Sequence, residues 1–322
     1  QIISIPKLDE NIQIYLADLY GRKLIGGHIL ASGKFVDDSS VLKKRLEEMK
    51  RIFEIKNISM MFDTESIAKE FKKEKIKYVI LKGMSLNIQN IYEIGIRQFR
   101  DIDILVERKD LAKAYLVLRK LGFEYIEKYA SDNSKYSSFL HHLPAMKNKN
   151  KTIIELHHRV TKKDFFKICP LSSYLIESRV NVNGIFVPNS KYNIIHILYH
   201  GIMHDNNNYG TKYLFDLKKF YDLDKELFYQ EKQLINTLGL TKQLENILKF
   251  FSEIESTEKF KDCDEKIKIK ATRHNTHKKS SNLLIRIKNR LNYIRYIYQT
   301  GYSSPKYIFL LVYDLFRSLN TK

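Results

Sequence analysis

Only two cysteines, Cys169 and Cys263, occur in the chain, and they form no Cys-x-x-Cys unit. That excludes a disulfide framework and a cysteine zinc site, and it fits a reducing, cytoplasmic compartment. Glycine (12) and proline (5) are too scarce for a collagenous or low-complexity chain, and 43% apolar with 29% charged residues is a globular composition. The longest apolar run, Tyr307 to Tyr313, is stopped by Asp314, far short of the roughly 18–20 residues that span a bilayer, so no transmembrane segment is expected. Gln1 to Leu8 lacks the pattern of a signal peptide. There is no internal repeat and no His-Glu-x-x-His. Gly27 to Lys34 fails as a Walker loop, because five residues separate Gly27 from Gly33 and Phe35 stands where a magnesium-binding Ser or Thr is needed.

Positive charge, in contrast, is abundant and uneven. Lys266 to Lys322 holds 13 Lys and Arg against one acid, Asp314, and so carries +12 of the formal +19. Such asymmetry favours a polyanionic partner: nucleic acid, an anionic membrane face or a nucleoside triphosphate. An AT-rich genome that over-uses Lys, Ile, Asn and Tyr accounts for it equally well.

Hydrophobic periodicity divides the chain. Leu42, Leu46, Met49, Ile52 and Phe53 recur at helical spacing, and Thr64 opens a second helix with Ile67 and Phe71, so residues 1–69 read as a helical segment. Lys77 to Leu81 reads as a buried strand ending at Gly83, with a helix over Ser85 to Tyr92. Ile102, Ile104 and Val106 alternate with Asp101, Asp103 and Leu105 as a second strand, and a helix runs from Asp110 to Leu121 with Gly122 as its stop. Thr152 to His157 is a third strand. After Pro188 the pattern is helical over Tyr192 to Met203, Thr211 to Tyr221 and Leu238 to Phe251.

The chemistry lies in the acids. Residues i and i+2 of a strand share a face, so Asp101 and Asp103 place two carboxylates about 7 Å apart on one sheet edge. Their neighbours Ile102, Ile104, Leu105 and Val106 are too apolar for a solvated edge, and charges there need a metal or a basic partner. Mg²⁺ and similar hard ions take one or two carboxylates plus substrate phosphates. Glu155, on another strand, supplies a third acid for a second ion or for orienting an attacking hydroxyl. Arg97 and Arg100, just upstream, are candidates for a triphosphate or for neutralising the acids.

The run Val79-Ile80-Leu81-Lys82-Gly83-Met84-Ser85-Leu86, followed by Tyr92, Arg97, Asp101-Ile102-Asp103-Ile104-Leu105-Val106, Leu118 to Gly122 and Ile154-Glu155-Leu156-His157, resembles the uncharacterised nucleotidyltransferase family of the polymerase-beta-type superfamily over about residues 70 to 220. The resemblance implies a small mixed sheet with flanking helices; joined to the helical periodicity after Pro188 it gives an α+β fold, with a nucleotidyltransferase domain at 70–160 followed by an α-helical domain at 161–322 with a basic C-terminal region. It also implies that Gly83 and Ser85 hold NTP phosphates, that Asp101, Asp103 and Glu155 are the metal-binding and catalytic carboxylates, and that Mg²⁺ or Mn²⁺ is the cofactor. Met84 interrupts the superfamily's usual Gly-Ser or Gly-Gly pair, which makes Lys82 the better phosphate contact.

His196, His200 and His204 recur every four residues along one helix face, drifting about 40° per step. With Asp216 and with His157, which shares the strand face of Glu155, they are candidate substrate-lining groups; packing histidines account for the helical three as well. His141 and His142 fall in an irregular stretch and decide nothing. Around Leu283 to Tyr298, Ile287, Leu291 and Ile294 form an apolar stripe beside Arg286, Arg290 and Arg295, which suits nucleic acid, a membrane surface or an ordinary solvated helix. The expected activity is metal-dependent transfer of an NMP from an NTP to an acceptor that sequence does not identify (small molecule, peptide or protein, or RNA). The alternative is a catalytically silent nucleotide- or RNA-binding module of the same fold.

Overall fold

The computed structural model describes residues 3–5, 10–35, 40–126, 141–160, 170–203 and 211–256. Up to residue 252 these belong to one compact unit, Gln1–Ser252; a second, Glu253–Lys322, is described only to Ser256. The basic stretch 266–322, with its arginine-flanked stripe, therefore lies outside the described residues. No described helix is long and apolar enough to cross a membrane.

Helices α1 (Glu10–Lys23) and α2 (Gly26–Ser32), with a short parallel pair β1 (Ile3–Ile5) and β2 (Gly33–Phe35), lead into the long α3 (Val41–Lys73). Ser40 caps α3, its hydroxyl accepting from the Lys43 amide at 3.2 Å. The sequence reading starts a new helix at Thr64, but α3 runs straight through it. Thr64 is buried and its hydroxyl donates to the Met60 carbonyl at 2.7 Å, so the group that would cap a new helix is satisfied inside the old one.

A five-stranded mixed sheet follows, built from β3 (Tyr78–Leu81), β4 (Ile102–Val106), β5 (Glu124–Tyr125), β6 (Met146–Lys147) and β7 (Ile153–His157), in the order β3-β4-β7-β6-β5. Only β4 and β7 pair in parallel. Helix α4 (Lys82–Ile88) leaves β3 directly, three residues earlier than its apolar spacing suggests, and α5 (Leu111–Lys120) ends at Gly122, whose φ of +83° suits glycine. Every residue of β3 and β4 is buried, because both faces of the sheet are covered. One face, with Ile80, Ile102, Ile104, Ile154 and Leu156, packs on Ile67 and Phe71 of α3 and Leu118 of α5. The other, with Val79, Leu81 and Leu105, joins the core of the C-terminal helices.

Those helices are α6 (Leu171–Glu177), α7 (Ser190–Met203), α8 (Thr211–Leu223), α9 (Lys232–Leu238) and α10 (Thr241–Ser256). The expected helix from Leu238 to Phe251 starts instead at Thr241, because Gly239 takes φ +72° and closes α9. A hairpin of β8 (Val180–Val182) and β9 (Ile185–Val187) interrupts the helices. It turns at Asn183-Gly184, with φ of +51° and +86°, the residue pair that fits a tight hairpin turn. The architecture is α+β: a small mixed sheet with flanking helices, then a helical half.

Candidate active site

Strand register gathers the charged groups. Leu81 at the end of β3 lies opposite Asp103, and Asp103 lies opposite Glu155 of the parallel β7. Paired residues share a face, so the two carboxylates stand side by side, and His157, two residues beyond Glu155, joins them. This is the face of Val79, Leu81 and Leu105, which the helical half covers. Asp101 immediately precedes β4.

Lys82, at the junction of β3 and α4, has φ +51°. A left-handed backbone costs a non-glycine residue about 1–2 kcal/mol. Its ammonium donates to Asp103 Oδ1 at 2.6 Å. His157 Nε2 lies 2.9 Å from the same oxygen and 3.5 Å from Glu155 Oε2. Burial by itself would raise the Asp103 carboxyl, but Lys82 and His157 hold it well below the ordinary carboxylate range. His157 keeps Glu155 low as well, against its burial. Burial opposes the charged forms of Lys82 and His157, yet their carboxylate neighbours push both upward. Asp101 goes the other way: burial first, then the charge of Asp103, pushes it up to about 6 against the pull of Lys82.

The remaining candidates are placed variously. Ser85 is buried, and its hydroxyl donates to the Lys82 carbonyl at 2.8 Å, closing the turn. Gly83 lies inside the seven-residue α4, under the ring of Phe99: a Cβ there would come within 2.7 Å of Phe99 Cγ and Cδ1. Arg97 is buried and makes two 2.7 Å hydrogen bonds to the carboxylate of Asp216 on α8. Arg100 is exposed, and its carbonyl accepts from Lys56 of α3 at 3.2 Å. His196 is buried in α7, and His200 is half-buried one turn on, their rings 6.2 Å apart. His204 lies outside the described residues.

Among the described residues, one set of three acid or imidazole ligand atoms comes together, that of Asp103, Glu155 and His157, all within 4.8 Å of one another. Two carboxylates and an imidazole suit a divalent cation, so the donor chemistry fits the metal that the acids imply. Asp101 stands outside this set.

A family model for an uncharacterised nucleotidyltransferase matches residues 28–254. The chain belongs to that nucleotidyltransferase family. No curated protein matches it. Solved structures that it is similar to include an antigenic nucleotidyltransferase-like protein from Paracoccidioides brasiliensis (15% identity, 63% of this chain and 93% of that one, TM-score 0.37). The antibiotic-resistance factor ANT(2'')-Ia is another (11% identity, 62% and 98%, TM-score 0.38). A third is the Megavirus polyadenylate synthase (13% identity, 70% and 40%, TM-score 0.34).

Several residues around this candidate site carry no local sequence signal. Lys56, half a helix from any motif, and Lys212 of α8 are both close enough to Asp101 to feel its charge. His142 bridges by its backbone to His157, with rings 5.0 Å apart, and the His141 ring lies edge-on to His142 at 4.4 Å and tilted to His157 at 5.5 Å. Only the long-range pairing of residues 141–143 with β7, through the Leu143 amide to the Leu156 carbonyl at 2.8 Å, brings them here.

Proposed function

We propose that this nucleotidyltransferase moves an NMP from an NTP to an acceptor hydroxyl or phosphate, releasing pyrophosphate, in a reaction that depends on Mg²⁺ or Mn²⁺ held by its acidic residues. The observation that carries the reading is the β4–β7 register, which sets Asp103 beside Glu155 with Lys82 and His157 on the same carboxylate. A divalent cation bound there supplies charge neutralisation at the phosphoryl oxygens.

The chain's own residues do the rest. Asp103 and Glu155 anchor the ion. Lys82, already a paired ammonium with a partly exposed side chain, is positioned to contact the triphosphate. Exposed Arg100, with Lys56 and Lys212 nearby, adds positive charge along the approach. Asp101, read from the sequence as a metal ligand, lies outside the Asp103–Glu155–His157 set and is assigned to the acceptor side, two residues from Asp103, where a carboxylate takes the proton of an attacking hydroxyl. Arg97 and Asp216 are assigned to clamping the segment before β4 onto α8, and Ser85 and Gly83 to shaping the turn.

Pyrophosphate release from ATP, CTP, GTP and UTP, each with Mg²⁺ or Mn²⁺ and with cell extract as acceptor source, tests the reading. Release with one nucleotide that falls about a thousandfold in Asp103→Ala, the several kcal/mol a metal-anchoring group supplies, supports it. Undiminished release by that variant refutes the site; metal-dependent NTP binding without release points to a silent binding module.

A further inference from the structure

The atoms around His157 say more about the cation than the acids do. Two ligands about 2.1 Å from an ion, on adjacent corners of an octahedron, are about 3 Å apart. His157 Nε2 is 2.9 Å from Asp103 Oδ1, close to that edge, and 3.5 Å from Glu155 Oε2, and ligand atoms of all three residues lie within 4.8 Å of one another. We infer that His157 Nε2 is a direct ligand of the divalent cation, so that the centre prefers a first-row transition ion such as Mn²⁺ or Co²⁺ to Mg²⁺; this rests on the proposed reading of the same site.

Three features support it. Strand alternation fixes the donor set: Glu155 and His157 are i and i+2 on β7, and Asp103 pairs with Glu155, so no rotation of a loop is needed to assemble it. The imidazole is buried and hemmed in, with the rings of His142 and His141 at 5.0 and 5.5 Å and a backbone bridge from residue 142. The third feature is competition. Asp103 already holds the Lys82 ammonium at 2.6 Å, so an incoming ion must share or displace it, and it must also take the place of the hydrogen between His157 Nε2 and the same oxygen. Mg²⁺, a hard ion that gives up its waters reluctantly and prefers oxygen, competes poorly for such a seat, whereas a borderline ion gains a bond to nitrogen.

The test is Mn²⁺ binding to the full chain without nucleotide, followed by electron paramagnetic resonance. Pulsed spectra of the wild type should show coupling of the bound Mn²⁺ to a ¹⁴N nucleus, and Mg²⁺ should displace the Mn²⁺ only in excess. Coupling should persist in His142→Gln and vanish in His157→Gln. Losing even an outer partner of a metal ligand costs about 10- to 100-fold in affinity, so His157→Gln should lose at least about tenfold for Mn²⁺ and much less for Mg²⁺. Bound Mn²⁺ without ¹⁴N coupling in the wild type overturns the assignment without relying on any variant's folding. So does the absence of Mn²⁺ binding, or a folded His157→Gln protein with an unchanged Mn²⁺/Mg²⁺ preference. Nitrogen coupling without NTP consumption would sink the transferase reading and leave the ligand standing; NTP consumption with Mg²⁺ and no coupling would do the reverse.

Discussion

Two buried ion pairs join distant parts of this chain, and they differ in what they leave over. Arg97 and Asp216, 119 residues apart, make a two-pronged pair with side chains only 5% and 3% exposed. Both carboxylate oxygens are used, and the guanidinium's third bond goes to the Gln98 carbonyl at 2.7 Å. Its neighbour His28, stacked on Phe215, is pushed by burial to about 4 and so adds no charge to the pair at physiological pH. Lys82 and Asp103 make a single contact, with Lys82 23% exposed and its backbone in the left-handed region. Around them are two further acids, Asp101 and Glu155. The first pair uses both oxygens of its one carboxylate; the second gathers three carboxylates, Asp101, Asp103 and Glu155, around Lys82 and His157, with Lys56 and Lys212 near Asp101, which is what a site for an added cation and a phosphate needs.

If this contrast holds, breaking the first pair should cost more stability. Removing one partner of a buried pair leaves an uncompensated charge, at about 3–5 kcal/mol. Asp216→Ala should lose that much in urea unfolding, whereas Lys82→Met should lose only about 1.5–3 kcal/mol, the scale of one charged hydrogen bond, because His157 still faces Asp103. Equal losses in the two variants would erase the distinction.

The next effect has a pH signature. Asp101 titrates at about 6 in the folded chain against an ordinary 3.8. Between those values the native state keeps a proton that the unfolded chain has released, so ionising Asp101 destabilises the fold progressively as pH rises from about 4 to 6, then by a constant amount. Two pKa units correspond to about 3 kcal/mol. Without metal, Asp101→Asn should therefore be about 2–3 kcal/mol more stable than wild type at pH 7 and no more stable at pH 4. Subtracting the two stability profiles cancels Asp103, which is depressed in both proteins and loses its contribution as pH falls. A flat difference would show that neither burial nor the charge of Asp103 is felt at Asp101.

Sequence showed the parts of this site better than their assembly. The apolar alternation around Asp103 and the Ile-Ile-Glu-Leu-His run were legible because strand periodicity is local. The pairing of β4 with β7 was not, since register depends on partners roughly fifty residues apart that no local pattern names, as in the 54-residue separation of His157 and Asp103. For the same reason Arg97 read as a candidate either for a triphosphate or for neutralising Asp101 and Asp103, whereas the carboxylate it pairs with, Asp216 on α8, is visible only in the fold. Lys56 and Lys212 were invisible and His141 and His142 undecided, each arriving on a segment whose packing direction only the fold supplies. Thr64 read as a helix start because a threonine that caps and one that bonds back to residue i−4 look alike in sequence.

Gly83 offers the smallest effect and a clean division between two readings. Resemblance gives its missing side chain to the phosphates; the structure gives it to Phe99, whose ring carbons would lie 2.7 Å from an added Cβ. Phe99 is itself 4% exposed and packed in the core beneath the sheet, so the ring has little room to retreat. Overpacking of this kind costs about 1–3 kcal/mol. Gly83→Ala should accordingly lower stability by that amount with or without nucleotide, and adding Phe99→Leu, which removes the ring, should restore part of the loss. If instead the single variant unfolds like wild type and only its KM for NTP rises, the glycine serves the phosphates, and the turn at Lys82 belongs with the open, cation-seeking pair rather than with the packing of the core.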